Sequence, residues 1–350
     1  WWARAYAQEG DDAEPEPLVL SGDRSEYPLG LHMELLEDPG GELTIEDVTS
    51  PEYAVQFSPS QEEVPNFGFI DSAYWVRLRL HDENPDIDNW LLELGFNNMH
   101  FVDLYSPVPD GEGFTVKQTG AMRPTSSRDI LHPKIVFELT MPDQSEQTYY
   151  LRFKNGAPMT LPLTLWQPVP FFVNATQQTA LNVLFLGIII GLLGYNLFLY
   201  ISLRDVNYLY LTLLLGSIIL YDLSDTGLME IYIAPESYRF MQHLVTLSSA
   251  AIMIFLILFN DSFLSLKANF PAVHRLNLIL VGFALLLGLA TFIARYHNIA
   301  VIFAPTLVVV LVTTMVTVFI AWRRGFHTAR FLVIAWIGLL AGILLFVLAR

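Results

Sequence analysis

The sequence predicts a multi-domain membrane protein, in which an N-terminal all-β jelly-roll sandwich is followed by an α-helical transmembrane bundle. Three observations support this fold class. Up to residue 175 the chain carries 10 Lys and Arg against 29 Asp and Glu, whereas the remainder carries 9 against 6. The acidic part contains short alternating segments typical of strands, and the remainder contains long apolar runs typical of membrane helices.

The distribution of charge excludes two classes of protein. Half of the chain is too poor in charge for a purely cytosolic enzyme, since soluble domains average about 25% charged residues. A nucleic-acid-binding protein needs a basic surface for phosphates, and neither half provides one. The chain has no cysteine, which excludes disulfides, thiolate metal sites and cysteine nucleophiles.

Residues 1–25 are predicted to be a signal-peptide remnant followed by a disordered acidic start. Ala5, Tyr6 and Ala7 have the small-x-small form of a signal-peptidase site. An arbitrary start of the chain is the alternative explanation. Residues 8–25 are acidic and contain few large apolar side chains, a composition that favours disorder.

Residues 26–166 are predicted to form the sandwich. Residues 74–80 alternate strictly, so that Val76, Leu78 and Leu80 lie on one face of a strand and the intervening residues on the other. Further strands are predicted at residues 90–94, 101–105, 135–139, 149–153 and 161–165. Several short strands separated by turns within about 140 residues are typical of a jelly roll.

Residues 167–179 are predicted to be a linker, and residues 180–350 a transmembrane helical domain. Apolar runs close to the roughly 20 residues that cross a bilayer occur at 181–201, 208–223, 243–259, 276–294, 299–322 and 331–348. The sixth run reaches the end of the chain, so a seventh helix is expected beyond it. The sequence therefore places the protein in a lipid bilayer.

Basic residues beside the apolar runs orient the bundle. With the sandwich outside the cytoplasm, the cytoplasmic loops contain Arg204, Lys267, Arg275, Arg323, Arg324 and Arg330, and the outer positions contain Arg239, Arg295 and Arg350. Because cytoplasmic loops carry an excess of Lys and Arg, the N-terminal domain is predicted to lie outside the cytoplasm.

Two sets of residues resemble one family of bacterial receptors. The segment from Gly194 to Asp205, continuing to Tyr210, resembles the first-loop signature of the seven-transmembrane receptors with diverse intracellular signalling modules. Residues 74–80, 92–94 and 150–152 resemble that family's type-2 extracellular domain, a jelly roll similar to carbohydrate-binding modules.

This resemblance implies an envelope signal-transduction receptor in the bacterial inner membrane, with its sensor domain, residues 26–166, in the periplasm or outside the cell. It also implies a cytoplasmic output domain, a diguanylate cyclase or a histidine kinase, that is absent from these residues.

Strand residues that point away from the predicted core are the candidate ligand contacts. They are Trp75, Arg77, Arg79, Glu93, Asp103, Tyr105, Tyr150 and Arg152. Aromatic rings can stack on a sugar and arginine can bind a carboxylate through two hydrogen bonds. The expected partner is a carbohydrate, a carboxylate or another sensor protein. The alternative is a solvated sheet face with cross-strand ion pairs and no ligand.

Polar residues within or beside the apolar runs are the candidate signalling residues. Asn196, Asp222 and His243 are selected because polar and ionisable groups in membranes are costly and often functional. The alternative is hydrogen bonding between helices or at the membrane interface, and a neighbouring helix is the expected partner of Asn196. Gly187 and Gly191 have close-packing spacing, which fits packing inside the bundle or an expected homodimer.

No cofactor, metal site or catalytic residue is predicted. The sequence has no His-Glu-x-x-His, no Gly-x-Ser-x-Gly and no phosphate-binding glycine loop. A receptor is the preferred interpretation. The alternative is a transporter or a membrane-embedded transferase component with an accessory sugar-binding domain, although the apolar runs show little of the polar lining that transport requires.

Overall fold

A computed structural model describes residues 16–348 apart from 85, 86, 88, 109, 110, 112, 143, 157, 236 and 295. The chain divides into two compact units. The first comprises Trp1–Gly120, Ser127–Ile130 and Ile135–Phe171, and the second comprises Ala121–Ser126, Leu131–Lys134 and Phe172–Arg350. The predicted signal-peptidase site and Arg350 lie outside the described residues.

The first unit is built from short strands, as the alternating segments predict. In the described part they are β1 (Leu18–Leu20), β2 (Glu26–Pro28), β3 (Met33–Asp38), β4 (Ser58–Pro59), β5 (Asn66–Gly68), β6 (Ala73–Asp82), β7 (Asn89–Leu94), β8 (Phe101–Pro107), β9 (Phe114–Thr119), β10 (Ile135–Thr140), β11 (Glu146–Lys154), β12 (Met159–Thr160) and β13 (Leu163–Trp166). The all-β prediction for this unit is confirmed.

Two main sheets form the sandwich. The large sheet has the order β4-β3-β6-β11-β8-β9, with β1 pairing in parallel with the end of β6. The small sheet has the order β10-β7-β13-β2, and β12 pairs separately with β5. Every pairing along the two main orders is antiparallel, so one face of each sheet can pack on a core while the other faces outward.

The core of the sandwich lies between the two sheets. Val76 and Leu78 of β6 belong to the same buried cluster as Trp90 and Leu92 of β7, and all four are fully buried. The indole nitrogen Nε1 of Trp90 donates a hydrogen bond of 3.0 Å to Asp82, which satisfies its polar group. The core face predicted from the alternation of β6 is correct.

The N-terminal segment contains a strand where disorder is expected. β1 pairs with the end of β6, and the side chain of Leu20 is fully buried in the core cluster. The prediction of disorder up to residue 25 is therefore wrong for Leu18–Leu20. Full burial of Leu20, partial burial of Leu18 and pairing with β6 hold this short segment against the sheet, despite its acidic surroundings.

A second layer covers the opposite face of the large sheet. It includes α1 (Ile45–Thr49) and α2 (Pro51–Ala54). Val48 of α1 and Phe57 after α2 pack in one buried cluster with Trp75 and Leu36 of the sheet. These helices have too few residues to show a helical period, so the sequence analysis does not predict the layer.

The second unit consists of helices. In the described part they are α3 (Pro168–Leu203), α4 (Val206–Asp225), α5 (Leu228–Tyr232), α6 (Tyr238–Phe263), α7 (Leu266–Asn269), α8 (Pro271–Ala290), α9 (Tyr296–Arg323) and α10 (Ala329–Leu348). Helix α6 packs against α4, α8 and α9, and α10 packs against α9. Among the residues that the structure describes, five segments have the length and hydropathy to cross a membrane: Pro168–Leu203, Val206–Asp225, His243–Phe263, Pro271–Ala290 and Val301–Arg323.

The expected linker at 167–179 is not a separate segment. Helix α3 begins at Pro168 and continues for 36 residues to Leu203. Proline is favourable in the first turn of a helix, where its missing N–H has no partner to lose, so the prolines at 168 and 170 start the helix. A helix of this length extends about 54 Å, more than the roughly 30 Å hydrocarbon core of a bilayer.

Candidate functional site

Seven of the eight candidate ligand residues share the face of the large sheet opposite the core, which we call the outer sheet face. The register aligns the pairs Trp75–Arg152, Arg77–Tyr150, Arg152–Asp103 and Tyr150–Tyr105 on β6, β11 and β8. Arg79 lies on the same face, two residues beyond Arg77. Glu93 does not join them, because β7 belongs to the small sheet.

A buried ion pair on the outer sheet face joins Arg77 to Glu34 of β3. Nε and one terminal nitrogen of Arg77 donate hydrogen bonds of 2.7 and 2.6 Å to the two oxygens of Glu34. The other terminal nitrogen donates to the carbonyl of Ala54, and the guanidinium lies 4.5 Å from the ring centre of Phe57. Its hydrogen bonds and ion pair with Glu34 outweigh desolvation and raise the pKa of Arg77.

A second set of ion pairs surrounds this interaction. Nε of Arg79 lies 3.5 Å from Glu34, so one carboxylate serves two arginines. On the neighbouring strands a terminal nitrogen of Arg152 lies 3.7 Å from Asp103, and the other donates 2.6 Å to the carbonyl of Gly41. Adjacent strands bring these opposite charges together, as expected for cross-strand pairs.

Most of the outer sheet face is covered. Trp75 is 0% exposed, Arg77 7%, Asp103 3% and Tyr150 8%. The layer of α1, α2 and Phe57 is the cause, because it packs directly on this face. The expectation that these side chains form an open surface is therefore wrong, as it is for Glu93, which is also buried in the small sheet.

Three candidate residues keep access to solvent. The side chains of Arg79 and Arg152 are 12% and 19% exposed, and Tyr105 is half-buried beside Trp75, with ring centres 5.3 Å apart. Two guanidinium groups and one aromatic ring can contact an anionic or ring-shaped ligand. Trp75 cannot stack on a sugar in this conformation, because no part of its ring is accessible.

Two of the three candidate signalling residues, Asn196 and His243, have hydrogen-bond partners within the helical unit. Nδ2 of Asn196 donates 2.8 Å to the carbonyl of Leu192 in its own helix, so the predicted partner on a neighbouring helix is wrong for this donor. A carbonyl one turn away satisfies the amide where water is absent. Nδ1 of His243 on α6 lies 3.0 Å from the hydroxyl of Thr291 after α8, and Asp222 is half-buried on α4.

Two family models match the chain in the order that the sequence predicts. Residues 30–167 match the model described as 7TMR-DISM extracellular 2, and residues 178–350 match the model described as 7TM diverse intracellular signalling. The chain belongs to this receptor family. The resemblance drawn from the sequence is thereby confirmed, and the protein is a membrane receptor with an extracellular-type sensor domain. A comparison with curated proteins gives no match.

Two groups of interacting residues in this 7TMR-DISM receptor were missed in the sequence. Glu34 is central to the outer sheet face, yet it lies in β3, a strand that the sequence analysis does not identify. In the helical unit, Nδ1 of His274 lies 2.8 Å from Asp261, which also accepts a hydrogen bond from Asn277. Asp261 and His274 are 13 residues apart and lie on different helices, so no periodic pattern in the sequence predicts their contact. The Asp near the end of an apolar run is nevertheless a signal that sequence analysis could have used.

Proposed function

We propose that this receptor senses a ligand or a partner protein with its sandwich, outside the cytoplasm of a bacterium, and signals across the inner membrane. The signal passes through the helices to a cytoplasmic output domain, a diguanylate cyclase or a histidine kinase. The order of the two domains carries the proposal, since an extracellular-type domain directly precedes the helical one. Only Gln167 separates β13 from α3.

The short junction supports transmission through the covalent chain. Its single connecting residue is held by two hydrogen bonds from the side-chain amide of Gln167 to the carbonyls of Gly22 and Arg24. A helix that starts beside a fixed residue and enters the membrane follows any displacement of β13. A ligand shifts such an equilibrium only by its difference in affinity for the two states.

The accessible part of the outer sheet face supports an anionic ligand. Arg79 and Arg152 can each donate to a carboxylate, and Tyr105 offers a ring for stacking. An acidic sugar combines both chemical groups and is the ligand class that we propose for the sandwich.

An open face of α3 supports a homodimer as part of this proposal. A Cβ atom built at Gly187 or Gly191 would meet no described atom within 4 Å. Glycines at this spacing let two helix backbones approach closely. The described helices of the same chain leave this position open, so a second copy of the receptor is the proposed occupant.

Lengthening the junction tests signal transmission. Three glycines inserted between Gln167 and Pro168 should make the output independent of the stimulus, because a flexible link does not convey a displacement of β13. The output is measured in cells carrying the full-length receptor, as cyclic diguanylate or as phosphoryl transfer. The same insertion after Gly113, an exposed glycine between β8 and β9, is the control and should respond normally.

Arg79→Gln tests the input side of the same proposal, with Lys154→Gln on the same sheet face as its control. The first variant should lower the sensitivity to an acidic sugar at least tenfold, and the second should not.

A normal response of the junction insertion would contradict the receptor mechanism. Stimulus-independent uptake of solute by cells expressing the chain would favour the transporter alternative.

A further inference from the structure

The helical unit contains a cavity that the proposed function does not use. It has a volume of about 450 Å³ and lies between α4, α6 and α9. This volume falls in the range of small-molecule sites, roughly 300–1,000 Å³. The cavity therefore has the size of a binding site for a small ligand.

The wall of the cavity has two chemically different sides. Helix α9 supplies only apolar side chains, among them Phe303 and Leu307. Helices α4 and α6 supply four polar side chains, namely Tyr221, Asp225, Thr246 and Ser249. A mostly apolar cavity with a few convergent polar groups is the usual form of a small-molecule site, and its division into two sides suits an amphipathic ligand.

The polar groups include one carboxylate at the mouth of the cavity. Asp225 is the last residue of α4 and is exposed, and the hydroxyl of Tyr221 donates a hydrogen bond to it. Ile252, the lining residue farthest along α6, is apolar and lies six residues from Thr246, or about 9 Å. A ligand can thus place a charged group at Asp225 and an apolar group between the helices.

The cavity lies in the halves of the helices that face the outer side in the orientation predicted from the basic residues. It is lined by the last turns of α4, by residues 245–252 in the first half of the membrane-length segment His243–Phe263, and by the N-terminal half of α9. Under the positive-inside rule these ends are extracytoplasmic. A compound outside the cytoplasm can therefore reach the cavity without crossing the membrane.

We propose that this cavity is a second ligand site of the receptor, and that it binds a small amphipathic amine. The ammonium group pairs with the carboxylate of Asp225 and donates to the hydroxyls of Thr246 and Ser249. The apolar part packs against Phe303 and Leu307. Hydrogen bonds between an ammonium group and a carboxylate are shorter and stronger than those between neutral groups. Because the ligand contacts three helices, it stabilises one arrangement of them over others.

The charge requirement is tested with hexylamine and 1-hexanol as probes of equal length. The full chain in lipid nanodiscs is heated with each probe, and its unfolding midpoint is measured against probe concentration. Hexylamine should raise the midpoint and 1-hexanol should not. Asp225→Asn should weaken the apparent affinity for hexylamine at least tenfold. Asp205→Asn removes a carboxylate at the opposite end of α4, keeps a residue that can cap the helix, and should leave the affinity unchanged.

Filling the cavity tests the location independently of Asp225. Ala304→Trp places a large ring within the lining and should abolish the shift caused by hexylamine. Ala335→Trp makes the same change at an exposed position on α10 and should retain it. Equal stabilisation by 1-hexanol, or an unchanged affinity in Asp225→Asn, would show that the ammonium group is not recognised. An unchanged shift in Ala304→Trp would place the binding of hexylamine outside the cavity. Either result would overturn the proposal. None of these outcomes depends on the sandwich.

Discussion

Individual residues on the outer sheet face show how strongly burial changes the role of a charge. Arg77 and Glu34 are both buried, and each satisfies the other through two hydrogen bonds. Removing two charges from water is costly, so a buried ion pair adds little net stability compared with apolar residues of the same shape. Breaking the pair is different, because the carboxylate of Glu34 stays buried and loses both short hydrogen bonds, while Arg79 remains at the longer distance of 3.5 Å.

Arg77→Met should therefore destabilise the sandwich by about 3–5 kcal/mol, because the buried carboxylate of Glu34 loses both hydrogen bonds that Arg77 donates to it. Hydrogen exchange of the β6 amides in the full chain measures this loss. The double variant Arg77→Met with Glu34→Leu should recover most of it. Equal protection from hydrogen exchange in the single and double variants would mean that the layer of α1, α2 and Phe57 opens and lets water reach the carboxylate of Glu34.

A buried histidine predicts a pH dependence of the sandwich. Burial lowers the pKa of His100, and its Nδ1 accepts a hydrogen bond of 3.1 Å from the amide of Gly156, which requires the unprotonated nitrogen. The unfolded chain, with a histidine pKa of about 6.5, binds the proton more readily. Stability is therefore complete above about pH 6.5 and decreases as the pH falls towards the lowered folded pKa.

Replacing the histidine should remove this part of the pH dependence. In His100→Gln the unfolding midpoint of the sandwich between pH 7 and pH 5 should change less than in the original chain. His32→Gln, at an exposed position, should keep the original profile. An identical profile for the original chain and His100→Gln would assign the acid sensitivity to other groups.

Among the elements, the short helices α1 and α2 determine which side chains of the outer sheet face are accessible. Helix α1 has only five residues, yet its Val48 is fully buried in the cluster over Trp75. A helix this short has little stability of its own and depends on packing and capping. The backbone N–H of Asp47 donates to the hydroxyl of Thr44, and the carboxylate of Asp47 accepts from the N–H of Thr44.

Thr44→Ala removes this cap and should destabilise α1 by about 1 kcal/mol. Faster hydrogen exchange of the amides in α1 and α2 would report the change. Thr49→Ala is the matched control, because Thr49 bonds only to carbonyls of the preceding turn and its loss should have little effect. If exchange of α1 is unaffected by Thr44→Ala, packing of Val48 alone holds the layer in place.

For the whole molecule, the positive-inside rule predicts that the sandwich and the loop between α9 and α10 lie on opposite sides of the membrane. An alkaline phosphatase fused after Asn155 should be active, and one fused after Gly325 should be inactive, because the enzyme folds only outside the cytoplasm. A cytoplasmic reporter at the same two positions should show the reverse. Activity of the phosphatase at Gly325 with silence at Asn155 would invert the topology.

The sequence by itself determined the architecture of the receptor. Alternation in β6 identifies Val76 and Leu78 as core residues, and the apolar runs identify the membrane helices, because both patterns repeat over many residues and reflect burial directly. The family follows from the same stretches of sequence. Several strands were missed, among them Leu18–Leu20 and Met33–Asp38, and so was the beginning of α3, since these segments have no sustained period of their own.

Only the tertiary structure decided which candidate residues are accessible. Alternation correctly assigns Arg77, Trp75 and Asp103 to the face opposite the core, but it cannot reveal that α1, α2 and Phe57 cover that face. The cavity between α4, α6 and α9 is likewise invisible in the sequence, because its lining comes from segments far apart in the chain. Periodicity reports only whether one strand or helix has an apolar face, whereas accessibility depends on which distant segment packs against that face.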